Sequence, residues 1–281
     1  MSQTPAHTEQ LGRKTALVTG GGTGIGRSAA LALAAEGYEV TVAGRTAATL
    51  EQTVNLVTQA GGNAKFRIAD VHDADAVRRA VRAAVSDSGR LDVAVNSAGV
   101  DGGNDSHPLL DYPVETLDLM LATNVRGMFL SMKYELEIMF EQGFGSIVNV
   151  SSGAGLTGVP GYSGYAASKH AEIGLTKSAA LDYAGRNVRV NAVCPGLVNT
   201  PLIADMMSQN PAMHEQLLDS HPLGRIAEPA EIARRDHLSG DQQVKLRHRN
   251  RTTGRRRLPR PLNPRPQVCS SSSQSRKRAT P

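Results

Sequence analysis

A glycine-rich turn between an apolar run and an alanine-rich run constrains the fold of this chain most strongly. Residues 19–26 read Thr-Gly-Gly-Gly-Thr-Gly-Ile-Gly, after Thr-Ala-Leu-Val and before Arg-Ser-Ala-Ala-Leu-Ala-Leu-Ala. A strand, a glycine turn and a helix in this order let the backbone approach a pyrophosphate, which the free N–H groups at the helix N-terminus attract. The turn therefore predicts a dinucleotide-binding α/β unit; the alternative is a glycine-rich turn without a ligand.

Apolar runs typical of buried strands alternate with helical patterns along the chain. We predict strands near residues 14–19, 38–43, 64–69, 91–96, 146–151 and 188–193, and helices near residues 24–36, 47–60, 74–87, 114–142 and 163–183. Continuous apolar strands are expected in a parallel sheet that is covered on both faces. The alternation predicts a Rossmann-type, doubly wound parallel sheet in three α/β/α layers.

The fourth predicted helix has an apolar stripe that contains one amide. Its stripe at helical spacing consists of Leu117, Met120, Leu121, Asn124 and Met128. The simplest interpretation of Asn124 is a core amide bonded to the backbone.

Two residues of the fifth predicted helix indicate acid–base chemistry. Tyr165 and Lys169 are four residues apart, so both side chains lie on one helical face. An ammonium group beside a phenol favours the phenolate, and such a tyrosine can exchange a proton with an alcohol or a carbonyl oxygen. The same spacing also arises by chance, with a half-buried Tyr165 and a solvated Lys169.

Two further apolar runs end in small polar residues: one in Asn96 followed by Ser-Ala-Gly, the other in two serines at 151 and 152. Together these motifs resemble the short-chain dehydrogenase/reductase family, from about Leu11 to about Ala233. The resemblance rests on the glycine turn, Asp70-Val71, residues 96–99, Asn124, Ser152, Tyr165, Lys169 and residues 194–200. Ser97 is a small departure, because the family more often has asparagine there. The resemblance implies an NAD(P)-dependent oxidoreductase that transfers a hydride between nicotinamide and a secondary alcohol or ketone.

The resemblance implies four catalytic residues. Tyr165 would be the general acid/base, and Lys169 would support it and bond the nicotinamide ribose. Ser152 would hold the substrate oxygen. Asn124 would distort its helix locally and complete a proton path through water.

Each of two catalytic candidates has a rival nearby. Ser151 competes with Ser152, and the spacing in the family favours Ser152. Tyr162 competes with the tyrosine three residues later, but the residue four places after Tyr162 is Ala166, which carries no charge.

The resemblance also implies the cofactor-binding residues, which are Gly20, Thr23, Gly24, Ile25, Gly26, Arg45, Asp70, Val71, Asn96, Ala98, Gly99, Tyr165, Lys169, Pro195, Gly196, Val198 and Thr200. Gly44 stands where NAD-preferring relatives carry an aspartate, and Arg45 can pair with a 2′-phosphate. We therefore expect NADP to be preferred over NAD, although Thr23 stands where some NADP users carry a basic residue. Alternatively, Arg45 stacks on the adenine or faces solvent. Asp70 and Val71 are expected to flank the adenine.

Composition excludes several other classes. The 281 residues are 40% hydrophobic and contain two cysteines, so no disulfide framework is expected. No apolar run has membrane-spanning length, and no His/Cys cluster has metal-ligand spacing. The first ten residues are expected to be flexible and lack a signal-peptide pattern, which predicts a cytoplasmic protein.

Charge separates residues 234–281 from the predicted domain at 11–233. The final segment carries 14 basic and two acidic residues, whereas the preceding residues carry 17 and 24. This basic composition without aromatic residues predicts a disordered tail. The family would continue with an apolar helix and a last strand. Residues 244–258 can be back-translated with synonymous codons that, read one nucleotide later, encode an ending like that of the family. This ending contains Phe-Val-Thr-Gly and, after three further residues, Pro-Val-Asp-Gly-Gly. We therefore hypothesise a frameshift near Ala233. The hypothesis would be refuted if the coding DNA could not yield that ending in another reading frame.

Three functions stay open. The first is the oxidoreductase, which in this family is a homo-oligomer (tetramer or dimer), although the altered tail opposes assembly. The second is a catalytically impaired product of a frameshifted gene. The third and least favoured is nonspecific nucleic-acid binding through the basic tail, which has no aromatic residues for stacking. No specific nucleic acid and no membrane are expected as partners.

Overall fold

A parallel sheet forms the centre of the chain in the computed structural model, which describes residues 13–103, 106–204 and 224–234. The six strands within these residues are β1 (Thr15–Thr19), β2 (Glu39–Gly44), β3 (Asn63–Ile68), β4 (Val93–Asn96), β5 (Gly145–Val150) and β6 (Val188–Val193). Their order is β3-β2-β1-β4-β5-β6, and each neighbouring pair is parallel. Strands β1 to β3 are added towards one edge of the sheet, and β4 to β6 are added towards the other edge, starting beside β1. This switch between β1 and β4 creates a crevice at the carboxyl ends of these strands.

Helices cover both faces of the sheet. They are α1 (Gly24–Ala35), α2 (Ala47–Gln59), α3 (Ala74–Val85), α4 (Val114–Met120), α5 (Gly127–Gln142), α6 (Ser163–Tyr183) and α7 (Pro229–Ile232). Successive side chains of a strand point to opposite faces. In β1, Leu17 packs with α3, α5 and α6, whereas Ala16 and Val18 pack with α1 and α2. The predicted three-layer, doubly wound Rossmann architecture is therefore confirmed.

Strand β4 begins two residues later than predicted, because side chains hold the residues before it. The Asp92 carboxylate accepts hydrogen bonds from Thr15 N and from Arg90 Nε, both at 2.9 Å. The N–H of Leu91 donates to Gln142 Oε1 at 3.0 Å. The backbone of Asp92 still bonds to Thr15 and Ser146, so a side chain takes the place of the strand ladder only at Leu91.

The predicted helix over residues 114–142 is interrupted. A π-helical turn, Leu121–Arg126, separates α4 from α5, and the distortion at Asn124 that the family resemblance implies is present. The predicted stripe is wrong at Leu121, which is 39% exposed, whereas Met120 and Asn124 are fully buried. Leu121 follows α4 in regular helical geometry, so the buried stripe is narrower here than predicted.

The predicted flanking segments lie almost entirely outside the described residues. These are residues 1–10 and, apart from Arg234, the tail, so the domain boundaries and the frameshift stay predictions. Just before the tail, Ala233 packs against the apolar cluster beneath α1. Within the three described ranges, no helix has the length and apolar character needed to cross a bilayer.

Candidate active site

A cleft of about 270 Å³ lies at the carboxyl edge of the sheet, where β1, β2, β3 and β4 end. Its lining includes many of the predicted cofactor residues, namely Gly20, Thr23, Arg45, Asp70, Val71, Ala98 and Gly99. The cleft is thus located at the strand-order reversal, where open parallel sheets bind ligands. In the described part of the chain, no group of His, Cys, Asp or Glu side chains could hold a metal ion.

The glycine turn lies so close to other backbone atoms of the chain that two of its positions leave no room for a side chain. Gly20 has φ +66°, and a Cβ atom on it would lie 2.7 Å from Ala98 N and from the Ser97 carbonyl. A Cβ on Gly26 would lie 2.3 Å from Gly20 O. The Thr23 side chain does not cap α1, so the first N–H groups of that helix stay available for a pyrophosphate.

An arginine that the sequence analysis did not select holds the glycine turn against α2. The Arg27 guanidinium donates to the carbonyl of Gly22, to Gln52 Oε1 at 2.8 Å and to Thr53 Oγ1 at 3.0 Å. These bonds fix the turn from outside the cleft. Nothing in the local sequence distinguishes Arg27 from an ordinary surface arginine.

The rim of the cleft beyond β2 and β3 presents opposite charges. Arg45 is exposed there, directly after Gly44, which has no side chain to repel a phosphate. Asp70 Oδ1 accepts a hydrogen bond from His72 N at 2.9 Å. A ring nitrogen of His72 lies 2.7 Å from Thr123 Oγ1, which also lines the cleft. The Asp70 loop is therefore tied to the π turn.

Asn96 lies beneath the cleft and does not line it. It is buried in the core, where its amide donates to Glu135 Oε2 and to Asn149 Oδ1, both at 3.0 Å. Burial raises the pKa of Glu135 to about 7, although the hydrogen bond from Asn96 opposes this rise. The side chain of Asn96 thus links β4 to β5 and α5, while the residues after it reach the cleft.

The loop after β6 connects the two sides of the site. The carbonyl of Pro195 accepts a hydrogen bond from Gly153 N at 2.7 Å, and Val198 is buried and pairs with Ala227. Gly196, between them, is exposed.

The same loop then reaches the start of α1. A Cβ on Gly24, where φ is +51°, would lie 3.0 Å from Thr200 Cγ2. Ile25 is half-buried in the first turn of that helix. The predicted residues of the glycine turn and of the loop after β6 are therefore neighbours in the fold.

Tyr165 and Lys169 lie together on α6. Lys169 Nζ is 5.6 Å from the centroid of the Tyr165 ring. Lys169 is buried and Tyr165 is half-buried, so the lysine is not the solvated residue of the alternative interpretation. A Cβ on Gly99 would lie 3.5 Å from Lys169 Nζ. Because Gly99 lines the cleft, the ammonium group is adjacent to it.

Asn124 connects the cleft to α6 from the π turn. Its Oδ1 accepts a hydrogen bond from Val100 N at 2.8 Å, and its Nδ2 donates to Val100 O at 2.8 Å and to Ser168 Oγ at 3.0 Å. This bonding agrees with the core-amide interpretation, with the addition that it positions the cleft wall against the helix that carries Tyr165.

The two serines after β5 have different surroundings. Ser151 is buried and its hydroxyl donates to the carbonyl of Lys169 at 3.1 Å. Ser152 is half-buried, and its Oγ accepts a hydrogen bond from Ala154 N at 3.2 Å. The Ser152 hydroxyl keeps its proton free to donate, which favours Ser152 over Ser151 as the substrate contact.

Tyr112 is a further residue that sequence reasoning missed. Burial raises the pKa of Tyr112, and the nearby backbone N–H groups of Tyr165 and Gly164 oppose the rise. A Cβ on Gly164 would lie 2.8 Å from the Tyr112 hydroxyl. Tyr112 thereby holds the first turn of α6. A lone tyrosine in a loop carries no sequence signal for this contact.

Glu172 was also missed. Lys169 Nζ donates to Glu172 Oε1 at 2.8 Å. The spacing of three residues on one helix is a signal that could have identified the pair.

The sheet, the cleft and the Tyr165–Lys169 pair together define a dinucleotide-binding enzyme. The family model for short chain dehydrogenase matches residues 14–211. The chain belongs to the short chain dehydrogenase family and is an NAD(P)-dependent oxidoreductase.

Known proteins with similar sequences and structures include several oxidoreductases. A cyclohexanol dehydrogenase of Acinetobacter sp. (strain SE19) is 38% identical over 226 residues, which cover 80% of this chain and 87% of the relative. The solved structure of ElxO with NADP bound has a TM-score of 0.75 at 31% identity and covers 83% of this chain and 93% of that one. The structure of an actinorhodin polyketide ketoreductase variant with NADPH has a TM-score of 0.73 at 34% identity, covering 79% and 87%.

Proposed function

We propose that Tyr165 is the general acid/base in the interconversion of a secondary alcohol and a ketone. The observation that carries this proposal is the buried Lys169 ammonium, which lies against the Tyr165 ring and beside Gly99 of the cleft. When bound, NAD(P) would supply the hydride acceptor or donor. The glycine turn, Asp70, Val71 and the loop after β6 would hold it.

The residues of the chain then have distinct tasks. Tyr165 transfers a proton to or from the substrate oxygen, and the positive charge of Lys169 favours the phenolate. The Ser152 hydroxyl donates to the substrate oxygen and stabilises charge that develops there. Asn124 positions the cleft wall and, as in the family, would support a water in the proton path.

A panel of cyclic and linear secondary alcohols and ketones tests this function. The name of the relative from Acinetobacter favours cyclic secondary alcohols as the first compounds. Turnover is followed by the absorbance of the reduced cofactor in both directions. If no alcohol or ketone in the panel gave turnover above the rate without enzyme, the proposed substrate class would be wrong.

We further propose that NADP is preferred over NAD. Gly44 leaves the end of β2 without a carboxylate, and the exposed Arg45 lies at the rim of the cleft. A guanidinium at this place can pair with a 2′-phosphate. Two similar structures contain NADP or NADPH, which supports the same choice. Asp70 in the same cleft acts against it by repelling the phosphate.

The Arg45→Ala variant is expected to lower kcat/KM for NADP by about tenfold or more and to leave that for NAD nearly unchanged, because a charge-assisted hydrogen bond contributes roughly 1.5–3 kcal/mol. Steady-state kinetics with both cofactors measure the ratio. Arg67→Ala is the matched control, since Arg67 is an exposed arginine of β3 outside the cleft lining. An unchanged ratio for Arg45→Ala would remove this residue from the explanation of cofactor preference.

We also propose that a second copy of the chain covers a groove between α5 and α6. The groove has a volume of about 640 Å³, and its apolar lining includes Phe129, Leu136, Phe140 and Leu175. Phe129 is 49% exposed. Lys133 and several acidic side chains line the same groove. Two copies related by a twofold axis could therefore pair apolar surface with apolar surface and opposite charges at the rim.

The Phe129→Glu variant is expected to shift the protein towards the monomer, because it places a charge in the apolar centre of this surface. Light scattering after size-exclusion chromatography measures the mass. Leu56→Glu is the control, since Leu56 is an exposed leucine of α2, which lies outside the groove. If both variants kept the mass of the unmodified protein, the groove would not be the interface.

A further inference from the structure

A buried ion pair lies beside the proposed catalytic tyrosine. Lys169 Nζ donates to Glu172 Oε1 at 2.8 Å, and the two side chains are only 6% and 0% exposed. Both residues belong to α6, and Glu172 follows the lysine by three positions. The ammonium group therefore interacts with the Tyr165 ring and with a carboxylate at the same time.

The carboxylate is incompletely bonded, which a purely structural role would not favour. Burial raises the pKa of Glu172, and the positive charge of Lys169 opposes this rise. The Ser151 hydroxyl lies within reach of the carboxylate. Its single proton, however, is donated to the carbonyl of Lys169, and Glu172 Oε2 has no hydrogen-bond partner among the described residues. An apolar side chain at this position would avoid that desolvation penalty.

We infer that Glu172 is a positioning residue that holds the Lys169 ammonium group and partly offsets its charge at Tyr165. This inference deepens the proposed function and rests on the role of Tyr165 in it. The hydrogen bond restricts where Nζ can lie, and the negative charge weakens the attraction between the ammonium group and a phenolate. Glu172 would thereby set the pH range in which Tyr165 accepts a proton from an alcohol.

Only the titratable and charged groups that face the Lys169–Glu172 pair can add to its electrostatic effect on Tyr165. From α6 they are Tyr165 and, farther along, Lys177, which acts on Cys194. From the segment after β6, Cys194 faces the pair; burial raises its thiol pKa most, followed by the negative charge of Glu172. The neighbours from β4, β5 and the π turn are the uncharged Gly99, Ser151 and Asn124.

The Glu172→Gln variant separates charge from position. Its amide oxygen can still accept the bond from Lys169, but the negative charge is gone. The low-pH limb of alcohol oxidation is expected to move by about one pH unit to lower pH. The reason is that an ammonium group without a counter-charge favours the phenolate more strongly. The plateau kcat should change only a few-fold. Glu51→Gln, an exposed glutamate of α2, should leave the profile in place.

A spectroscopic measurement tests the inference without turnover. The chain has no tryptophan and six tyrosines, so tyrosinate absorbance is observable. The difference between each protein and the same protein with Tyr165→Phe isolates one tyrosine. Its titration should move to lower pH when Glu172 is replaced by glutamine. An unchanged titration would overturn the inference, even if alcohol oxidation proved the proposed function right. If Tyr165→Phe retained turnover, the proposed function would fail and this titration would still decide the role of Glu172.

The Glu172→Asp variant covers the case in which the glutamine variant does not fold. It keeps the charge on a shorter side chain, so the pH profile should stay within a few tenths of a unit while kcat falls several-fold. A profile that moved as far as expected for the glutamine variant would contradict the inference, because no charge has been removed.

Discussion

Replacing Tyr165 with phenylalanine is expected to lower kcat by roughly a hundred- to ten-thousand-fold, the usual contribution of a positioned proton donor or acceptor. Phenylalanine keeps the ring that contacts Lys169 and removes only the hydroxyl. The affinity for NADP should therefore stay within a few-fold. Turnover with the best compound of the alcohol and ketone panel gives the first quantity. Fluorescence titration with reduced cofactor gives the second.

Tyr162→Phe is the control for this experiment. Tyr162 is a half-buried tyrosine just before α6, and the residue four places later is alanine. Its replacement should leave kcat within about tenfold, far above the value expected for the other variant. Near-normal kcat in Tyr165→Phe would refute the assignment of the general acid/base.

Replacing Gly26 with alanine is expected to abolish measurable cofactor binding and to destabilise the fold by about 1–3 kcal/mol, as overpacking does elsewhere. The added Cβ would lie 2.3 Å from Gly20 O and 2.8 Å from Gly20 C. Both are backbone atoms of the turn, so the strain cannot be relieved by a side-chain rotation. Thermal melting with and without NADP measures Tm and the stabilisation by cofactor.

Gly174→Ala is the matched substitution. Gly174 lies in α6, and a Cβ on it would meet no atom within 4 Å. Alanine favours a helix over glycine by about 1 kcal/mol, so Tm should rise slightly and cofactor binding should persist. Equal Tm and equal cofactor response in the two variants would show that the turn tolerates a side chain.

The fold was predictable because its main signals are local. Strands and helices follow from apolar runs, from helical periodicity and from one glycine turn, and all six predicted strands are present. The errors arise where nonlocal side chains replace a regular pattern. Gln142 Oε1 accepts a hydrogen bond from the N–H of Leu91 just before β4, and no pattern around residue 91 encodes a partner fifty residues away.

Motifs in the sequence identify many of the residues that line the cleft, but they do not identify the residues that support them. The pairing of Lys169 with Tyr165 can be predicted from the sequence, because the two residues are four positions apart. Tyr112 reaches the first turn of α6 from a loop far along the chain, and the side chain of Asn96 faces the core although Asn96 itself belongs to a motif. Such contacts depend on the packing of separate elements and have no spacing rule.

The π turn between α4 and α5 has a geometric consequence. In a regular helix, the side chains at one end have a fixed rotation about the axis relative to those at the other end. One extra residue changes this rotation by about 100°. Here α4 packs on α6, whereas α5 packs mainly on α3, β4 and β5 and to a smaller extent on α6. The apolar faces of α4 and α5 can therefore point in two directions that a single regular helix could not satisfy. Deleting a single residue from 121–126 would leave each half intact as a helix, but it would turn either the active-site half or the core half away from its partner.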